Sequence, residues 1–174
     1  MVRNRPECLF RMSPETETMI EIPIPGHSTL RISQLVLDYN GTLACDGSVL
    51  PGVSDRITAL AENLQVHVVT ADTFGTAAAA LEGMPCKLTV LLADAQDEAK
   101  RDYVRELGAT TTAAIGNGRN DSLMLDEAAL GITVVQTEGA AKEAVLAADI
   151  VCKNIGDALD LLVNPKRITA DLRS

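Results

Sequence analysis

The chain has 174 residues, 47% of them hydrophobic, and a formal net charge of -9. That length and apolar content suit one domain with a real core, and the acidic balance disfavours nucleic acid as a partner over any broad surface. No apolar run approaches the roughly 20 residues of a membrane span, and the N-terminus lacks the apolar stretch of a signal peptide, so no membrane partner is expected.

Aromatic residues make up only 2%, with no Trp, so the core must come from Ala, Leu, Val and Ile, which suits helices packed on a parallel sheet. The cysteines Cys8, Cys45, Cys86 and Cys152 form no CxxC and no close pair, which argues against a zinc site or a disulfide framework and for a cytoplasmic protein. His27 and His67 are far apart, and His67 alternates with Val66 and Val68, so both read as structural rather than metal-ligating.

Residues 1–18 show no periodicity and are expected to be an extension, disordered or upstream of a true start at Met19; residues 19–174 are expected to be a single domain. Ile20-Glu21-Ile22 and Leu30-Arg31-Ile32, around a Pro25-Gly26 turn, predict a small N-terminal β-hairpin. From Leu35 the pattern repeats strand, loop, helix. Strands are predicted near 35–38, 66–70, 87–92, 111–115, 131–135 and 149–152, and helices near 52–64, 74–82, 96–107, 120–129, 139–147 and 155–163. Pro51 suits a first helical turn, Gly83 and Gly108 suit helix exits, and Thr73 or Asp94 suits a cap. Such alternation predicts an α/β fold with a doubly wound parallel sheet.

Three strand ends carry chemistry. Leu35-Val36-Leu37-Asp38 runs into Tyr39-Asn40-Gly41-Thr42-Leu43, and an Asp where a buried strand gives way to a turn faces the ligand crevice of such a sheet. Val66-His67-Val68-Val69 runs into Thr70-Ala71-Asp72-Thr73, a hydroxyl beside fresh N–H groups suited to a phosphate oxygen, although taken alone the segment is better explained by capping. Thr112-Ala113-Ala114-Ile115 runs into Gly116-Asn117-Gly118-Arg119-Asn120-Asp121, a Gly-rich turn leading into a helix. Lys100, in Asp97-Glu98-Ala99-Lys100-Arg101, is by itself an ordinary helix residue.

The order Asp38, Thr70, Lys100, then GNGRND resembles the haloacid dehalogenase (HAD) superfamily of phosphohydrolases and phosphotransferases, over nearly everything from Leu35 to Val163. DYNGTLA, TADTFG and GNGRND look closest to its soluble P-type ATPase-like branch, similar to the phosphorylation domain of cation pumps without the membrane part. The resemblance implies a HAD-like Rossmannoid core and a phosphatase that forms an aspartyl-phosphate on Asp38, with Thr70 holding the phosphoryl group and Lys100 neutralising it. It implies Mg²⁺ as cofactor, held by Asp38, the main-chain carbonyl of Asn40, Asn117 and Asp121, with Gly41, Thr70, Ala71 and Lys100 around the phosphate. Lys87 is the alternative lysine, less suited because it starts a strand.

Two positions depart from the family pattern. Asn40 stands where phosphatases carry a second Asp as general acid and base, and pumps carry Thr; an amide cannot titrate, so simple esters should turn over slowly. Asn117 stands where GDGxND has a metal-binding Asp, which removes one negative charge. Both amides also fit a non-catalytic phosphoryl-binding or interaction module, whereas a capless sugar-acid phosphatase usually retains the acid. The spacing leaves room for a short flap over 44–50 but for no inserted cap domain, so an open site is expected. Capless members of the superfamily the chain resembles either act on large substrates or close the pocket with a neighbouring subunit, so the resemblance, with a small phosphorylated compound or acyl phosphate as the expected substrate, implies a homo-oligomer.

Overall fold

A computed structural model describes residues 18–71, 75–91 and 94–174. The expected extension therefore falls outside the described residues apart from Thr18, as does a cap at Thr73. Strands β1 (Ile20–Ile22) and β2 (Leu30–Ile32) pair antiparallel, with Ile22 and Ile32 fully buried and Glu21 opposite Arg31 on the exposed face. Then follow β3 (Gln34–Asp38), β4 (Ala44–Cys45), β5 (Ser48–Val49), α1 (Val53–Ala61), β6 (Gln65–Thr70), α2 (Thr76–Ala80), β7 (Lys87–Val90) and α3 (Gln96–Leu107). The chain continues through β8 (Thr112–Gly116), α4 (Ser122–Glu127), β9 (Leu130–Val134), α5 (Lys142–Ala147), β10 (Ile150–Cys152), α6 (Ile155–Val163) and α7 (Lys166–Leu172).

Six strands form one parallel sheet in the order β10-β9-β8-β3-β6-β7. From β3 the chain winds outward through β6 and β7, then returns through α3 to β8 on the other side of β3. The direction of winding thus reverses between β3 and β8, and in open parallel sheets the crevice at that switch point takes the ligand.

The alternation of side chains along β3 divides the core. Leu35 and Leu37 pack into the larger cluster, which holds Ile57 and Leu60 of α1, Leu159 and Leu162 of α6, and the hairpin residues Ile22 and Ile32. Val36 points the other way, towards Val104 of α3, Met124 and Leu125 of α4 and Ala144 of α5. Both faces are covered, which is why the strands read as nearly continuous apolar runs.

Several boundaries differ from the sequence expectations. Gly52, in the left-handed region at φ 75°, precedes α1, so Pro51 lies in the turn before the helix rather than in its first turn. Ala95, not Asp94, occupies the N-cap of α3. Helix α7 was not predicted: after Pro165 only Ile168 and Leu172 recur at helical spacing, a two-residue apolar stripe too brief to register.

Candidate functional site

Asp38 is the last residue of β3, and Gly116-Asn117 leaves the neighbouring β8, so the two segments open on the switch-point crevice. Asp38 is 6% exposed, Asp121 0% and Lys100 1%. Burying charges of this kind is expensive unless they are paired. They are paired: Lys100 Nζ donates to Asp38 Oδ1 at 2.6 Å and to Asp121 Oδ1 at 2.6 Å. The helix α3 carries Lys100 on the face that also buries Val104, four residues on, so packing of the helix delivers the ammonium to the crevice.

The second oxygen of Asp121 accepts the N–H groups of Asn117 at 3.0 Å and Gly118 at 2.8 Å, which closes the loop around the carboxylate. A Cβ on Gly116 would lie 2.5 Å from the Asp121 carboxyl carbon, so this glycine makes room for an internal carboxylate. Asp121 is therefore a structural centre of the loop, and its remaining lone pairs are what it can offer a ligand.

Thr42 gathers two further oxygens: its hydroxyl lies 3.1 Å from Asp38 Oδ2 and 3.1 Å from Asn117 Oδ1. A hydroxyl has one proton, so it serves only one of these acceptors at a time. Asn117 is oriented by its amide nitrogen, which donates to Gly139 O at 3.0 Å. Gly41 is left-handed at φ +75°, and a Cβ there would meet the Asn117 amide nitrogen at 2.5 Å, so only glycine lets the two loops approach this closely. The N–H of Gly41 donates to Ala44 O at 2.8 Å and so serves the loop in this conformation.

Thr70 ends β6 one residue beyond the level of Asp38 and is buried, followed by half-buried Ala71. Asn40, two residues after Asp38, is exposed. Lys87 is exposed and pairs in register with His67, three residues short of Thr70, away from the strand ends that carry Asp38. His67 belongs to a partly buried network with Tyr103 at 2.9 Å and Gln34 at 2.9 Å.

The electrostatics follow from burial. Burial, then the neighbouring Asp121, pushes the Asp38 carboxyl up to about 7, with Lys100 and the Thr42 hydroxyl pulling against them. Burial disfavours the Lys100 ammonium, yet the two carboxylates outweigh it and hold its pKa above the ordinary lysine value. The site thus contains two acids sharing one cation, a region that still favours positive charge.

Two contributors were missed by sequence reasoning. Thr42 lies inside the quoted DYNGTLA segment, and its position four residues after Asp38 signalled nothing by itself. Gln136, beyond β9, donates through its amide nitrogen to Gly41 O and Thr42 O, both at 2.7 Å. No spacing or composition marks it. The flap predicted over 44–50 is the β4–β5 hairpin, held down by Tyr39 Oη donating to Gly47 O at 3.1 Å and by Asp46 N–H donating to Glu138 at 3.1 Å.

The doubly wound α/β fold with six parallel strands is shared with solved structures. A Streptomyces avermitilis protein assigned to the HAD hydrolase family superposes with TM-score 0.65 at 20% identity, over 83% of this chain and 90% of that one. The 3-deoxy-D-manno-octulosonate 8-phosphate phosphatase of Moraxella catarrhalis, in complex with magnesium, phosphate and KDO, gives 0.60 at 16% identity over 80% and 90% of the two chains. A zinc-transporting PIB-type ATPase in the E2.Pi state gives 0.56 at 23% identity over 71% of this chain and 20% of the pump. No family model matches the chain.

Among curated proteins, uncharacterized protein MJ0073 of Methanocaldococcus jannaschii is 55% identical over 60 residues, 34% of this chain and 64% of that protein. The chain thus spans just under two thirds of that relative's length. It belongs to the same family as uncharacterized protein MJ0072 of that organism, to which it is 44% identical over 39 residues, 89% of that protein.

Proposed function

We infer that the chain is a Mg²⁺-dependent phosphohydrolase that works through an aspartyl-phosphate on Asp38 and acts on a small phosphorylated compound or acyl phosphate. The observation that carries this is the buried ammonium of Lys100, 2.6 Å from both Asp38 and Asp121 at the switch-point edge of the sheet. A carboxylate oxygen of Asp38 attacks phosphorus as the bond to the leaving oxygen breaks, and that oxygen departs with the electron pair. Water then attacks phosphorus, releasing phosphate and restoring the carboxylate. Lys100 holds Asp38 in place and offsets the charge of the incoming group, while Thr70, beside Ala71, hydrogen-bonds the transferring phosphoryl oxygens. Gly41 contributes by shaping the turn rather than by a free N–H.

The residues fit a hard divalent cation: Asp38 Oδ2 and Asn117 Oδ1 converge on one hydroxyl, the Asn40 carbonyl follows Asp38 by two residues, and Asp121 closes the loop. Bound there, Mg²⁺ would supply positive charge between Asp38 and the phosphoryl group. With an amide at Asn117 the donor set carries one negative charge fewer, so affinity for the cation is weaker than in a set with Asp. Asn40 can neither protonate a leaving group nor activate water, which makes both halves of the reaction slow on simple esters and leans the site towards the pump-like branch. The reading takes the chain as cytoplasmic, with 19–174 as the working domain; among the described residues no helix is long and apolar enough to cross a membrane. It also takes the open crevice as one that a second copy closes.

Incubation with p-nitrophenyl phosphate and acetyl phosphate, with and without Mg²⁺, is the test. Metal-dependent turnover abolished by Asp38→Ala is expected, and turnover indifferent to Asp38→Ala would sink the mechanism. The exposed amide of Asn40 favours one competitor, a non-catalytic phosphoryl-binding module. It predicts that Mg²⁺ with beryllium fluoride raises thermal stability while no ester is turned over.

A further inference from the structure

We propose that Gln136 is a positioning residue for the nucleophile loop, holding Gly41 and Thr42 against the Asp38–Asn117 pair; its catalytic consequence rests on the phosphoryl-acceptor role of Asp38. The geometry is that of a three-way clamp. The Gln136 amide nitrogen donates to Gly41 O and Thr42 O at 2.7 Å each, and its amide oxygen accepts the Ile155 N–H at the start of α6 at 3.0 Å. The clamp thereby joins three segments through one side chain: the turn after β3, the turn after β9, and the first turn of α6.

The amide is needed because the clamp uses two N–H donations from one nitrogen and an acceptor oxygen beside it, a set that among neutral side chains only Gln and Asn supply. Gln reaches where Asn is one methylene too short. What the clamp holds matters. Thr42 Oγ1 lies 3.1 Å from Asp38 Oδ2 and from Asn117 Oδ1, so displacement of the Thr42 backbone moves the hydroxyl that draws these two oxygens together. The same turn carries Gly139, whose carbonyl accepts from the Asn117 amide nitrogen, so Gln136 and Gly139 fix both sides of the pair from one short segment. Gln136 is only partly buried, so its replacement should leave the core intact.

Two variants separate its functions: Gln136→Met keeps the shape and loses both hydrogen-bonding ends, while Gln136→Glu keeps the acceptor for Ile155 and loses the donor. Hydrogen exchange of full-length protein reads the loop directly through the Leu43 and Ala44 amides, which donate to Tyr39 O at 2.9 Å. In both variants these amides are expected to exchange at least tenfold faster, with the β1–β2 hairpin unchanged. Titration with Mg²⁺ and beryllium fluoride is expected to show affinity reduced at least tenfold, and kcat on acetyl phosphate is expected to fall more than KM rises. Unaltered exchange at Leu43 and Ala44 in Gln136→Met overturns the clamp, whatever the activity. Faster exchange with unchanged ligand affinity and kcat overturns its functional consequence. A wild-type protein that binds no mimic and turns over no ester removes the phosphoryl-acceptor role instead, and leaves the exchange result to decide the clamp by itself.

Discussion

At the scale of single residues, the site is a problem of charge. Asp38 and Asp121 share one ammonium, so removing it strands two buried carboxylates. Lys100→Met is expected to destabilise the fold by about 3–5 kcal/mol in urea denaturation at neutral pH, the usual cost of breaking a buried pair. Asp38 has a signature of its own. Its pKa is raised to about 7 in the metal-free protein, so its protonated form favours folding. The contribution is fully present below the unfolded carboxylate value near 3.9 and is lost as pH rises through about 7. Metal-free Asp38→Asn should therefore be more stable than wild type at pH 8, by a few degrees in Tm, with the difference shrinking towards pH 4. An equal difference at both pH values contradicts the raised pKa. Asn40→Asp, which places an acid two residues after Asp38, is expected to accelerate ester hydrolysis by about 10²-fold, the lower end of what general acid–base catalysis contributes. An unchanged rate in the folded variant shows that the missing acid is not what limits the site.

At the scale of elements, what matters is how helices deliver groups to strand ends. Arg56 of α1 reaches Asp160 of α6 with two bonds, Nε at 2.8 Å and Nη2 at 3.0 Å, and ties together the two helices over one face of β3. The guanidinium hydrogen bonds hold the Asp160 carboxyl below its ordinary value, so the tie adds stability above the unfolded carboxylate pKa and loses it as pH falls through the folded one. Asp160→Asn should cost about 1 kcal/mol at pH 7, and the gap to wild type should close in strong acid. Much at this scale was legible beforehand. The strands at 66–70 and 131–135 and the helices at 96–107 and 155–163 stand within a residue or so of Gln65–Thr70, Leu130–Val134, Gln96–Leu107 and Ile155–Val163. Each has either a long apolar run or a sustained 3.6-residue stripe. Helix α7 does not, and Gln136 carries no periodic or compositional mark, since its partners are backbone carbonyls that any sequence possesses. Thr42 was hidden for a related reason: a hydroxyl in a turn reads as turn chemistry until the second loop, 75 positions away, is brought against it.

For the whole molecule, winding order decides which groups meet. Placing β8 beside β3 brings Asp38 against the 116–121 loop, and α3, which crosses between the two halves of the sheet, brings Lys100 to both. The sequence order of Asp, Thr, Lys and GNGRND becomes a single cluster only through this topology. The crevice above it is covered by no inserted domain among the described residues, only by the four strand residues of the β4–β5 flap and its turn.

Asp38, on the proposed function, accepts a phosphoryl group that leaves slowly because Asn40 supplies no acid or base. The most direct measurement is mass spectrometry of protein acid-quenched after exposure to Mg²⁺ and acetyl phosphate or ATP. A phosphoryl group on the peptide containing Asp38, released by hydroxylamine and absent from Asp38→Asn, is the predicted result. No label under any donor, or a label that persists in Asp38→Asn, contradicts it.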